Sequence, residues 1–242
     1  MRIDIYLCEN GFCRSRTEAK EHILAGLVKV NGKTVTKPSF DVGPDGAVSL
    51  EGEARKYVSR GGLKLEGAIS EFGLDVSGAM ALDVGASSGG FTDCLLKHGA
   101  KRVIAVDSGS GQLAEELRRD ERVISIENYN ARFMKSEDLE FSPDLAVMDV
   151  SFISATLIIP AVYSVLTWGG EFVLLVKPQF EVGRAGIGKG GIVKDARLRE
   201  KALSDVVAFA ENCGFALLNT AVSPIEGGDG NVEYLVRFRK ER

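Results

Sequence analysis

Residues 82 to 96 read Leu-Asp-Val-Gly-Ala-Ser-Ser-Gly-Gly-Phe-Thr-Asp-Cys-Leu-Leu, and this stretch restricts the fold more than any other. Met80 to Val84 is short and apolar, the pattern of a strand buried in a parallel sheet. Gly85, Gly89 and Gly90 follow; they permit a tight turn and a close approach of backbone to a ligand. Thr92 to Lys97 then starts a helix. A strand, a glycine-rich turn and a helix form the first unit of a pocket at the carboxyl edge of a parallel sheet. The candidate ligand contacts here are Asp83, Gly85, Ala86, Ser87, Gly89, Gly90 and Phe91.

The chain after this turn keeps alternating. Strands are expected at Arg102–Asp107, Val123–Ile126, Leu145–Asp149 and Glu171–Lys177, with helices at Gly111–Leu117, Ile158–Leu166 and Leu198–Cys213. That order builds a mostly parallel sheet with helices on both faces. Asp107 closes the second strand, 24 residues beyond Asp83, where an acid can accept hydrogen bonds from ribose hydroxyls. Asn128 and Asn130, after the third strand, are polar candidates for the adenine side of a pocket. The last two strands, Phe215–Val222 and Val232–Phe238, are joined by a connection too short for a helix, so they run antiparallel.

The residues before the sheet read as a separate module. Residues 1–52 form a small unit, 53–63 a linker and 64–242 the large domain. Up to Pro38 there are seven basic and four acidic residues, whereas the rest of the chain carries a net charge of −7. A basic head on an acidic body suits a polyanion-binding module attached to something else. Ser15 and Glu18 have capping-box spacing ahead of a helix over Thr17–Leu24. Asn31-Gly32 between two short β runs signals a type I′ hairpin. In the joint that follows, Leu63, Ala68, Ile69 and Phe72 mark an amphipathic helix.

The four cysteines make no CxxC pair and the two histidines lie far from any second ligand, so no metal site is readable. With no secretory leader, free thiols and a cytoplasmic location are expected. Val150 to Gly170 is uncharged and long enough to span a bilayer, but its serines, threonines and Pro160 favour a loop, helix and turn in an α/β domain. No membrane partner is expected.

The head resembles the S4 RNA-binding domain through Ser15-Arg-x-Glu-Ala-Lys20 and Gly26-x-Val-Lys-Val-Asn-Gly-Lys33. That resemblance implies an α+β unit that carries Arg14, Arg16, Lys20, Lys29 and Arg2 to structured RNA, neutralising phosphates and reading shape. The large domain resembles the FtsJ (RrmJ) class of ribose 2′-O-methyltransferases. Head and body together resemble the TlyA, or haemolysin A, family of ribosomal RNA methyltransferases. The most specific pieces are Ser59-Arg-Gly-Gly-Leu-Lys-Leu65, Asp83 to Thr92, Asp149-Val-Ser-Phe152, Leu175-Val-Lys-Pro-Gln-Phe-Glu181 and Gly188-Lys-Gly-Gly-Ile-Val193.

The resemblance implies a Rossmann-like class I fold that binds S-adenosyl-L-methionine, with its last strand reversed. It implies ribosomal RNA or ribosomal subunits as the partner, with cytidine as the target. A catalytic Lys-Asp-Lys-Glu set falls on Lys64, Asp149, Lys177 and Glu233. Arg60 and the loop residues Arg184 and Lys189 are further expected RNA contacts. Two competing functions are a non-catalytic ribosome assembly factor and a membrane-active haemolysin. The chemistry explains the residue types. A ribose hydroxyl is a weak nucleophile, so alignment and proton management carry the reaction, contributing roughly 7–11 kcal/mol in favourable cases and roughly 10²–10⁴-fold. Two lysines and two carboxylates cancel in charge, which makes a partly buried cluster tolerable.

Overall fold

The computed structural model describes every residue except 14, 45, 51–55, 184, 185, 229 and 242, and the side chain of Glu21. Arg14 and Arg184 therefore lie outside the described residues. The chain divides into two compact units, Met1–Lys56 and Tyr57–Arg242.

In the first unit, α1 (Ile3–Glu9) and α2 (Arg16–Leu24) accompany a sheet of β1 (Val28–Val30), β2 (Lys33–Thr34) and β3 (Val48–Leu50), ordered β2-β1-β3 and antiparallel throughout. Ile3, Leu7, Ala19, Ile23 and Val28 are wholly buried and form its core. The Glu18 backbone N–H donates to Ser15 Oγ at 3.2 Å, so the helix is capped where the spacing indicates. Asn31 and Gly32 both have positive φ, at 51° and 76°, as a type I′ turn requires. The second strand of this hairpin is only two residues long.

One charge in this unit is unexpectedly deep. Asp4 is fully buried, and Arg2 Nε at 2.9 Å and Arg16 Nη2 at 2.8 Å both donate to its carboxylate. These two guanidinium groups hold the Asp4 carboxyl well below the usual range, with the Arg2 hydrogen bond the largest cause. Arg2 and Arg16 thus have a structural duty besides any contact with RNA, while Lys20 is exposed and Lys29 partly exposed.

The second unit is a seven-stranded sheet made of β4 (Met80–Val84), β5 (Arg102–Val106), β6 (Val123–Ile126), β7 (Leu145–Met148), β8 (Glu171–Val176), β9 (Phe215–Val222) and β10 (Tyr234–Lys240). Their order is β6-β5-β4-β7-β8-β10-β9. The first five are mutually parallel. β10 slots between β8 and β9 and is antiparallel to both. The reversed strand read from the short final connection is therefore β10.

Strand alternation divides the apolar side chains between two layers. Leu82, Val84, Ile104 and Val106 face the layer that includes α6 (Ile159–Val165) and α7 (Ala196–Asn212). Ala81, Val103, Val147 and Leu175 face the layer that includes α3 (Gly61–Phe72) and α4 (Gly90–Lys97). Burial on both faces explains why these strands read as continuous apolar runs.

The expected helix over Gly111–Leu117 is a single turn, α5 (Glu115–Arg118). Gly109 and Gly111 sit in the loop ahead of it: Gly109 N–H donates to Asp107 at 2.7 Å, and Gly111 has a φ of +66°. These backbone demands defeat a regular helix there. Val150–Gly170 resolves into a loop, a 3₁₀ turn, α6 and another turn, and no helix among the described residues is long and apolar enough to cross a membrane.

Candidate active site

Asp83 sits on β4 between Leu82 and Val84, so alternation turns its side chain into the α3–α4 layer. There it is fully buried, and Thr92 of α4 donates its hydroxyl hydrogen to Oδ2 at 2.6 Å. Its Oδ1 is buried with no hydrogen-bond partner among the described residues. Burial, reinforced by the Asp149 and Asp107 charges and opposed by Thr92, pushes the Asp83 carboxyl up to about 7.

The glycine turn beyond it splits into two jobs. Gly85 and Ser87 line a cavity. Gly85 has φ +83°, and a Cβ there would stand 2.5 Å from the Asp149 carbonyl oxygen. A Cβ on Gly89 would meet Leu117 at 2.2 Å, and one on Gly90 would meet Ser59 Oγ at 2.3 Å and the Gly62 backbone nitrogen at 2.9 Å. Phe91 lies in the core and Ala86 is buried. The sequence assigns all of these to a cofactor; in the structure Gly89, Gly90 and Phe91 pack α4 against its neighbours, which brings the turn close to the sheet edge.

The cavity has a volume of about 970 Å³. Asp107 stands in its wall, its Oδ2 accepting from Ser87 N–H and its Oδ1 from Gly109 N–H, each at 2.7 Å. Two backbone donors thus fix the carboxylate plane while leaving lone pairs for hydroxyl groups. Asn130 also lines the cavity, but its Oδ1 caps a 3₁₀ turn by accepting from Arg132 N–H at 3.2 Å and Arg132 Nε–H at 3.1 Å. Only its amide NH₂ is left to meet a base. Sequence reasoning did not single out Gln112, Tyr129, Arg132 or Ser151, which also line the cavity. The signal available was their position just after strand ends, where ligands of such sheets bind.

Four charged side chains gather at the neighbouring strand ends. Lys64 of α3 donates to Glu233 Oε2 at 2.6 Å, with both side chains almost wholly buried. Lys177 Nζ lies 2.5 Å from Asp149 Oδ1 and donates to Ser151 Oγ at 2.7 Å. The Asp149 contact is an ion pair without hydrogen-bond alignment, since Oδ1 accepts no hydrogen bond. Strand register joins the two pairs. Tyr234 pairs with Val176, so Glu233 stands one step further on, beside Lys177. Asp149 and Lys177 directly follow the adjacent parallel strands β7 and β8.

The loop that delivers Glu233 is tightly fitted. A Cβ on Gly67 of α3 would meet the Pro224 ring at 2.6 Å, and one on Gly227 would meet Glu233 Oε1 at 2.5 Å. Arg60 Nη2 donates to the Glu226 carbonyl at 3.1 Å, so this residue, expected to contact RNA, helps to hold the loop. Buried Asn231 accepts from Val193 N–H and donates to the Gly191 carbonyl, both at 3.0 Å. It thereby fixes the glycine-rich segment on which Lys189 is exposed.

Phe152 is the most exposed large apolar residue, at 92%, and has φ +64°. Its ring lies 5.3 Å from that of Phe180. Glu181 bridges the two segments, accepting from Ser154 Oγ at 2.6 Å and Ala155 N–H at 2.8 Å. An unburied aromatic in a left-handed conformation is held here by its surroundings rather than by its own preference.

A parallel sheet closed by a reversed strand, with a cavity at its carboxyl edge, is the architecture of S-adenosylmethionine-dependent methyltransferases. A solved enzyme of that class from Mesorhizobium loti superimposes with a TM-score of 0.55 over 72% of this chain and 96% of its own, at 18% identity. The chain belongs to the FtsJ-like methyltransferase family, whose model matches residues 57–240, and it carries an S4 domain over residues 1–48. It is 42% identical to the 16S/23S rRNA (cytidine-2′-O)-methyltransferase TlyA of Mycobacterium tuberculosis, over 99% of this chain and 90% of that protein. A solved structure described as a hemolysin, from Streptococcus thermophilus, matches with a TM-score of 0.81 and 46% identity, over 100% of this chain and 88% of its own.

Proposed function

We propose that the chain transfers a methyl group from S-adenosyl-L-methionine to the 2′-hydroxyl of a ribose in ribosomal RNA, with cytidine as the target nucleotide. The observation that carries this reading is Lys177, fixed by Asp149 and Ser151 beside the Lys64–Glu233 pair and next to the cavity. The residues of the cavity suit the donor. Asp107 would hold its ribose diol, Tyr129 and Asn130 its adenine, and Asp149, the acid at the other end of the lining, would face its cationic portion. When bound, S-adenosylmethionine supplies an electrophilic methyl carbon on a positively charged sulfur.

The chain's own work is then alignment and charge. Lys177 presents an N–H to the ribose oxygen and stabilises negative charge as the hydroxyl proton leaves. Asp149 holds the Lys177 ammonium, and its carboxylate, in the cavity wall, takes the proton that the ribose hydroxyl gives up as its oxygen bonds the methyl group. Glu233 compensates Lys64, so a second lysine can stand nearby without an unbalanced charge. Residues 1–52, with Lys20, Lys29 and the arginines paired to Asp4, bind the RNA and bring its ribose to the large unit. Arg60 and Lys189 add contacts on the large unit. Ribosomal subunits and intact ribosomes incubated with the purified protein and methyl-labelled donor test this. The expected product is a 2′-O-methylated cytidine in rRNA, and no incorporation into any of these substrates rejects the reading.

A further inference from the structure

We propose that Ser151 is a positioning residue for methyl transfer, fixing the rotation of the Lys177 ammonium so that one N–H is aimed at the substrate oxygen; this rests on the function proposed above. An alkyl ammonium is a three-fold rotor with three equivalent donors. Aiming one of them requires that others be held. Asp149 Oδ1 at 2.5 Å draws the ammonium electrostatically, but it accepts no hydrogen bond and so does not set the rotation. Ser151 Oγ, accepting at 2.7 Å, is the directional partner. Lys177 is its one hydrogen-bond partner among the described residues.

The placement of Ser151 fits this duty. Its residue is exposed and lines the cavity, whereas Lys177 is only 9% exposed. The hydroxyl therefore links an open cavity to an almost enclosed cation. The segment carrying it is braced on both sides. Gly85 packs on the Asp149 backbone, and Glu181 ties down Ser154 and Ala155. Between them, Phe152 takes a positive φ, which turns the chain sharply just after Ser151. The other charged groups around Lys177 are Asp149 from the end of β7, and Glu233, just before β10, with its partner Lys64 of α3. Asp149 would remain in place without the Ser151 hydroxyl, so a loss on removing it measures direction rather than charge.

The test uses Ser151→Ala and Ser151→Thr in the full chain. With ribosomal subunits as substrate, Ser151→Ala is expected to lower kcat ten- to hundredfold. KM for the RNA and affinity for S-adenosylhomocysteine, the product left by the donor, should stay within twofold. Ser151→Thr keeps the hydroxyl and is expected to restore kcat to within threefold. A turnover-independent measurement accompanies these: labelling of Lys177 by a small acylating reagent, read by mass spectrometry, should rise several-fold in Ser151→Ala while that of Lys64 is unchanged. An unchanged kcat, a parallel loss of cofactor affinity, failure of threonine to rescue, or unchanged Lys177 labelling would each overturn the proposal. If the wild-type protein methylates no ribosomal RNA, the functional reading fails, and the labelling result alone then decides whether Ser151 holds Lys177.

Discussion

Thr92 donates its hydroxyl hydrogen to Asp83 at 2.6 Å, with both side chains fully buried. One hydrogen bond does not offset the burial of a carboxylate, and the Asp83 carboxyl stands at about 7 instead of its ordinary 3.8. Between these values the folded protein keeps a proton that the unfolded chain has lost. The stability this group supports is greatest below the unfolded value, falls as pH rises toward 7 and is level above it. Urea unfolding of the wild type against Asp83→Asn should show the difference between them changing across pH 4 to 7, by on the order of a few kcal/mol. A difference that does not vary with pH in that window would show that Asp83 is ionised throughout.

The Lys64–Glu233 pair should separate stability from catalysis. Lys64→Ala leaves Glu233 buried and unpaired and should cost about 3–5 kcal/mol. Replacing both residues with apolar ones, as Lys64→Met with Glu233→Leu, should recover most of that loss without recovering turnover. Thermal or urea unfolding checks the first half and labelled-donor transfer the second.

Lys177 and Asp107 should divide chemistry from donor binding. Lys177→Ala is expected to reduce kcat by roughly 10²-fold or more and to leave affinity for S-adenosylhomocysteine unchanged. Asp107→Ala removes the acceptor fixed by Ser87 and Gly109. It should weaken that affinity by about 1.5–3 kcal/mol, roughly ten- to 150-fold. Calorimetric titration of both variants gives the comparison.

Phe152, exposed in the lining of the cavity, is expected to stack on an unstacked base of the RNA. Base stacking on such a ring is worth about 1–3 kcal/mol, so Phe152→Ala should raise KM for the RNA roughly five- to 150-fold with little change in stability. Phe152→Gly should be more stable than Phe152→Ala by about 1 kcal/mol, because glycine accepts the positive φ freely. Equal stability of the two variants would mean that the strain is relieved in solution.

The parallel order of the sheet was legible because apolar strands alternate with helices and end in acids, as at Asp83 and Asp107. The reversed strand was legible from the length of one connection. The insertion of β10 between β8 and β9 was not, since strand order depends on pairing between distant segments. The shortness of α5 was missed because Gly109 N–H donates to Asp107 and Gly111 N–H to Glu127, contacts that local periodicity does not register. Within the glycine turn, sequence marked the right residues but not their division between cavity and packing. That division depends on what a Cβ would strike, such as Leu117 or Ser59. The positive φ of Phe152 leaves no trace in composition, and Ser151 stood inside a recognisable motif without a sign of which neighbour it would meet.

The position of β10 also ties the site to the closing of the sheet. Glu233 reaches Lys64 across 169 residues, and it arrives just ahead of β10, the strand that fills the gap between β8 and β9. A chain cut short before it would hold Lys64 in an apolar layer without a counter-charge, and β8 and β9 would lack the strand that joins them. Such a fragment would expose two open sheet edges, which favour aggregation or proteolysis. Pairing of the buried charges and closure of the sheet are thus one event.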